Sequence, residues 1–189
     1  MKIRKIFSVL LALSLVLSCV LSVSAAEWNP HNVDGSVAEQ IEESNARVAQ
    51  LWQKALSESI SPVYRMGDEP QWDEPISRAS LHTATAEHWH WHGIHIVTFI
   101  FKATFTTTTN TAGATVIDNV RTFTATGGDD DTVVTVDDYV YTLIDSGRTI
   151  AATYSCTVGV WDSNDGYYSY FSKNYYVEFY VGGGGNVFD

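Results

Sequence analysis

Residues 86–107 read AEHWHWHGIHIVTFIFKATFTT, and the phase given to this stretch decides the fold. Side chains alternate across a strand, so residues two apart share a face. Taken as one strand, its odd positions carry Trp89, Trp91, Gly93, His95, Val97, Phe99, Phe101, Ala103 and Phe105. That row is aromatic and apolar, which predicts the core face. The even row opens with His88, His90 and His92, which then point together toward solvent. His95 falls with the core row. Gly93 could host a bulge, but the continuous odd row does not require one, because a bulge would flip every later residue.

Three imidazoles on one face suggest a metal site. Residues two apart on a strand are separated by about 6.6–6.8 Å, so His88/His90 or His90/His92 can reach one ion. His88 and His92 lie too far apart to share it. A third ligand must come from elsewhere, with His82, Glu87, His31 or an aspartate of a neighbouring strand as sources. Imidazole suits zinc and copper alike. The alternative is a solvated histidine face, which would charge as pH falls through about 6.5.

Downstream, period-two alternation of threonine, valine and aromatics continues. It is broken by turn clusters at 109–114 (TNTAGA), 127–131 (GGDDD), 145–147 (DSG) and 162–166 (DSNDG). The intervals predict strands near 86–107, 114–126, 132–145, 148–161 and 167–181. Their short joins imply antiparallel neighbours. The expected fold is mainly β: an antiparallel β-sandwich or rolled meander of about five long strands, with one N-terminal amphipathic helix.

In 148–161 one row holds Ile150, Ala152, Tyr154, Cys156, Val158 and Val160, and in 167–181 one row holds Tyr167, Phe171, Tyr175, Val177, Phe179 and Val181. Both rows predict the core. The opposite row of the last strand carries Tyr168, Tyr170, Tyr176 and Tyr180. If uncovered, these tyrosines offer flat aromatic area with hydroxyl handles, suited to a sugar or a protein surface. Covering by the helix or a second sheet is the competing expectation.

Upstream, residues 36–60 place Val37, Ile41, Val48, Leu51, Trp52 and Ala55 on one helical side and glutamates and glutamines on the other. The predicted organisation is a signal peptide (1–26), an N-terminal helical segment (27–61), a proline-rich acidic linker (62–83), a β-domain (84–181) and a flexible Gly-rich tail (182–189). The signal peptide rests on Lys2, Arg4 and Lys5, then an apolar run, then Ser24-Ala25-Ala26. An uncleaved anchor, or a lipoprotein cysteine at Cys19, are the alternatives.

Removal of 26 residues from 189 leaves 163, with 22 acids against 8 bases, a net charge of −14 with neutral histidine. That charge argues against nucleic acid and anionic membrane partners. Past the cleavage site no apolar span predicts a stable membrane crossing. Cys156 is then the lone cysteine, which excludes an intrachain disulfide and reads as a buried thiol. Asp129–Asp131 and DSNDG are oxygen-rich, yet the second departs from calcium-loop spacing, and both suit turns. No G-x-S-x-G, H-E-x-x-H or phosphate-loop motif is present.

The leading expectation is a secreted, non-enzymatic β-domain that recognises an extracellular protein or glycan. The alternative is a zinc- or copper-binding protein centred on His88, His90 and His92, with hydrolysis among the reactions it could support. A third is a toxin- or immunity-type protein that rearranges at a membrane, against which the acidic charge counts.

Overall fold

The structure, a computed structural model, describes residues 35–67, 81–92, 95–163 and 166–189, without the side chains of residues 35–36, 90–92 and 95. Helix α1 (Gly35–Glu58) is followed by eight strands: β1 (Tyr64–Arg65), β2 (Leu81–His92), β3 (His95–Thr109), β4 (Thr115–Gly127), β5 (Thr132–Ile144), β6 (Thr149–Asp162), β7 (Tyr167–Tyr180) and β8 (Gly185–Phe188). They form two antiparallel sheets, ordered β1-β5-β6-β7-β8 and β2-β3-β4. The fold is therefore mainly β and sandwich-like, with one helix among the described residues, as the period-two pattern predicts.

The stretch expected to be a single first strand is instead two. β2 and β3 pair antiparallel with His92 opposite His95, leaving only residues 93 and 94 between them. A two-residue connection is the commonest hairpin length. It reverses the chain, so His88 stands opposite Phe99 and Trp89 opposite Thr98. Opposed residues share a face. The inward row is thus even-numbered in β2, through Ala84 and Ala86, and odd-numbered in β3, through Val97, Phe99, Phe101, Ala103 and Phe105. Trp89 is 64% exposed, and His88 is the residue that turns in. The expected phase is corrected for this pair. The positions of the Trp91 and His95 side chains lie outside the described residues.

Both sheets contribute to one core. Tyr154 has its ring centroid 5.0 Å from Phe101 and 5.8 Å from Phe123, and Phe123 lies 4.7 Å from Tyr139. Tilted aromatic pairs at such distances keep ring edges against ring faces. Each large side chain buried this way is worth about 1.5–3 kcal/mol. Bulges in β4 opposite Thr104–Thr107 and in β5 between Val136 and Asp138 bend the strands.

The sheets also meet at a seam. The Thr85 N–H donates to the Gly183 carbonyl at 3.2 Å, and Thr85 bridges Gly184 in parallel. The glycines expected to form a loose tail serve this seam. Gly183 adopts φ +96°, which favours glycine, and a Cβ on Gly185 would sit 2.6 Å from the Glu178 carbonyl oxygen and 2.9 Å from the Ala86 Cβ. Residues 185–188 accordingly pair with β7 rather than trailing away.

Helix α1 packs chiefly on β7, and also touches β6 and β5. Val48, Trp52 and Ala55 of its apolar side are buried. Asn45 accepts a hydrogen bond from the Asn174 N–H at 2.9 Å through Oδ1, satisfying a strand-edge donor before β8 pairing begins at Tyr176. Beyond the helix, Ser61 Oγ accepts from the Leu143 N–H, and the Ser59 and Ser61 hydroxyls bond Thr142, which ties the chain to β5. Among the described residues no helix is long and apolar enough to cross a membrane.

Candidate functional site

Two arrangements of chemically capable side chains stand out, one inside the seam and one on the outer face of β6 and β7. The inner one gathers His88 from β2, Lys173 from β7 and Asp189 just beyond β8. Lys173 Nζ donates to Asp189 Oδ2 at 2.6 Å, and His88 Nε2 lies 3.2 Å from the same oxygen. Lys173 is buried on the inward row between Phe171 and Tyr175, with its ammonium 5.3 Å from the Tyr175 ring centroid. The His88 ring stacks 6.4 Å from Phe99 and lies edge-on to Tyr175. Arg47 of α1 reaches the Asp189 carbonyl oxygen at 2.9 Å.

The hydrogen bond from His88 pulls the Asp189 carboxyl well below the usual carboxylate range, and Lys173 adds to the shift against the opposing effect of burial. A carboxylate so held stays charged and serves as a fixed counter-ion, not as a proton donor. Two of the three members were not singled out in the sequence. Lys173 could have been found as a lone cation on an apolar row. Asp189 could not, because its contact with β2 depends on how the sheets meet.

The histidine trio divides accordingly. His88 is directed at Asp189, while the side chains of His90 and His92 lie outside the described residues. Among the described residues no three His, Cys, Asp or Glu side chains are grouped to hold a metal ion. Cys156 is fully buried, and burial pushes its thiol far above the ordinary range, with the nearby Asp137 charge adding to the effect. Such a thiol is a poor nucleophile.

The four tyrosines expected to share one open face do not. Tyr176 is 3% exposed and donates to Glu178 Oε1 at 3.0 Å, while Tyr180 donates to Glu178 Oε2 at 3.1 Å and accepts from Asn186 Nδ2. Burial first, and the Glu178 charge second, raise both phenols above their ordinary range. This pair is internal structure, with the Tyr176 ring tilted against Phe188 at 5.8 Å between centroids.

Tyr168 and Tyr170 behave differently. Tyr170 is 56% exposed, and its neighbour across the pairing is Gly159. A Cβ at 159 would lie 2.6 Å from Tyr170 Cε1, so the glycine lets the ring lie down on the sheet. Tyr168 follows at 6.0 Å between centroids, and Trp161, its opposite residue, at 5.2 Å from Tyr168. Trp161 was not expected to join this set, although its place opposite Tyr168 follows from the hairpin at 162–166. Its backbone N–H donates to the Asp131 carbonyl, which sets the acidic turn between β4 and β5 next to Trp161. At the other side of the strip, Asp137 accepts from the Thr157 hydroxyl at 2.8 Å.

Comparison with family models, with curated proteins and with solved structures finds no match to this chain.

Proposed function

We propose that the protein is a secreted, non-enzymatic β-domain that recognises a protein or glycan outside the cell through the end of the outer face of β6 and β7 that helix α1 leaves open. The observation that carries this reading is the strip Trp161–Tyr168–Tyr170. Three rings stand in sequence at 5.2 and 6.0 Å, and Tyr170 is more than half exposed. Large aromatics left open on a strand surface are the residues that dominate recognition patches. Helix α1 docks by Asn45 to Asn174, past the end of this strip. The basic start, apolar run and Ser24-Ala25-Ala26 at the N-terminus support export.

The test has two parts. Mass spectrometry of the exported protein should find Glu27 as its first residue. A screen on glycan and cell-surface protein arrays should then give a ligand whose binding falls about threefold or more in Tyr170→Ala and Trp161→Ala, with melting unchanged. A ligand bound equally by wild type and both variants would place recognition elsewhere, and full retention of Tyr176→Ala binding with lost stability would mark that tyrosine as structural.

A further inference from the structure

The geometry points to a cationic partner for the aromatic strip: an extended peptide segment of another protein, with lysine or arginine at alternate positions. This rests on the proposed recognition by the same face and narrows its ligand class. The first support is charge. Strands β5, β6 and β7 contain a single basic residue, Lys173, and it is buried and bound to Asp189. Among the described residues, the charges beside the strip are acidic: the exposed Asp129–Asp131 turn next to Trp161, and the exposed Asp137 across β6 from the Tyr170 strand, with Arg65 of β1 lying farther along β5 beside Asp138. Aromatic faces attract cations electrostatically, and flanking carboxylates add to that field.

The second support is spacing. Tyr168 and Tyr170, two apart along β7, have ring centroids 6.0 Å apart, and Trp161 stands beside Tyr168 across the strand pair at 5.2 Å. Alternate side chains of an extended peptide recur at about 6.6–6.8 Å, close enough for two successive cations to meet Tyr168 and Tyr170, with Trp161 widening the aromatic surface under the first. The protein's own interior contains the same chemistry, since the Lys173 ammonium sits 5.3 Å from the Tyr175 ring centroid and against the Asp189 carboxylate. An anionic or strongly acidic partner would meet like charge along both borders.

The experiment titrates the full-length protein with a synthetic peptide in which lysine alternates with serine, followed by isothermal calorimetry at low and at physiological salt. A glutamate–serine peptide and cellohexaose are the comparison ligands. Wild type should bind only the lysine peptide. Tyr170→Ala and Trp161→Ala should each weaken it about threefold to fivefold, the strength of an exposed cation–π contact, and Tyr170→Phe should bind as wild type. Asp131→Asn with Asp137→Asn should weaken it further than Glu39→Gln with Glu42→Gln, which removes as much charge from helix α1. Equal effects of the two charge pairs, with none from the ring variants, would reduce the binding to net charge and overturn the inference. Binding of cellohexaose that depends on Tyr170 would overturn the cationic class while leaving recognition by this face standing. No ligand, in this titration or in the array screen, whose binding depends on Tyr170 or Trp161 would overturn both.

Discussion

Lys173 Nζ is 2.6 Å from Asp189 Oδ2, so the only cation on the inward row of β7 is neutralised by a residue that β8 delivers to it. Breaking a buried pair by removing one partner is far costlier than removing both, because one charge is left stranded. Lys173→Met should destabilise the protein by about 3–5 kcal/mol. Lys173→Met with Asp189→Asn should recover a large part of that loss. Urea unfolding of the two single variants and the double variant measures the coupling, and additive losses would show that the pair is not a unit.

The same pair sets a pH response. The Asp189 pKa is depressed in the folded state, chiefly by His88 and then by Lys173. Its contribution to stability is fully present above the unfolded carboxylate value of about 3.9 and is lost as pH falls from there toward the lower folded value. The stability gap between wild type and Asp189→Asn should therefore stay constant from neutral pH down to about pH 4 and narrow below it. A gap that closes already near pH 6 would assign it to another group.

Trp89 and Phe99 test the hairpin phase directly. Trp89 is largely exposed, whereas Phe99 is fully buried. Trp89→Ala should change stability by less than about 0.5 kcal/mol, and Phe99→Ala should cost about 3–5 kcal/mol. Comparable losses would restore the single-strand reading of residues 86–107.

The Tyr154 hydroxyl is buried among Phe101, Phe123 and Tyr139, with no hydrogen-bond partner among the described residues. A desolvated, unpaired hydroxyl is a cost that the folded state carries. Tyr154→Phe should leave the melting temperature unchanged or raise it. A clear drop would mean that the hydroxyl is bonded in solution.

Cys156 should be inert to thiol reagents in the folded protein and react fully after denaturation, since burial both hides it and disfavours the thiolate. Labelling a Cys19→Ala chain, in which Cys156 is the lone thiol, checks this. Rapid labelling under native conditions would contradict the packing of β6.

Four of the five predicted strands, the antiparallel order and the helix were legible because alternation and turn residues acted together, as in Ile150 to Val160 followed by DSNDG. The first strand misled for a definable reason. In WHWHG the heavier, apolar tryptophans look like the core row, and they run without a break into Phe99 and Phe101 when one ignores a reversal at residues 93–94. The hairpin register, not side-chain hydropathy, decided that His88 faces in. Tyr176 was indistinguishable from Tyr170 by pattern alone, since both lie on the same row. What separates them is Glu178 and the covering elements, which come from packing between distant segments. Asp137 and Trp161 became part of one surface only once the register of β5, β6 and β7 was fixed.

Nearly every strand pairing joins sequence neighbours: β2 with β3, β3 with β4, β5 with β6, β6 with β7 and β7 with β8. The Thr85–Gly183 contact is different, because it must close a loop of almost the whole domain. Between the two sheets the loop-closure entropy falls at this seam, and the hairpins can assemble before it is met. Contacts made that late influence the escape from the native state more than the approach to it. Substitutions at the seam should raise the unfolding limb of a chevron plot and leave the refolding limb where it was, so that the His88–Asp189 contact across it acts as the protein's kinetic lock.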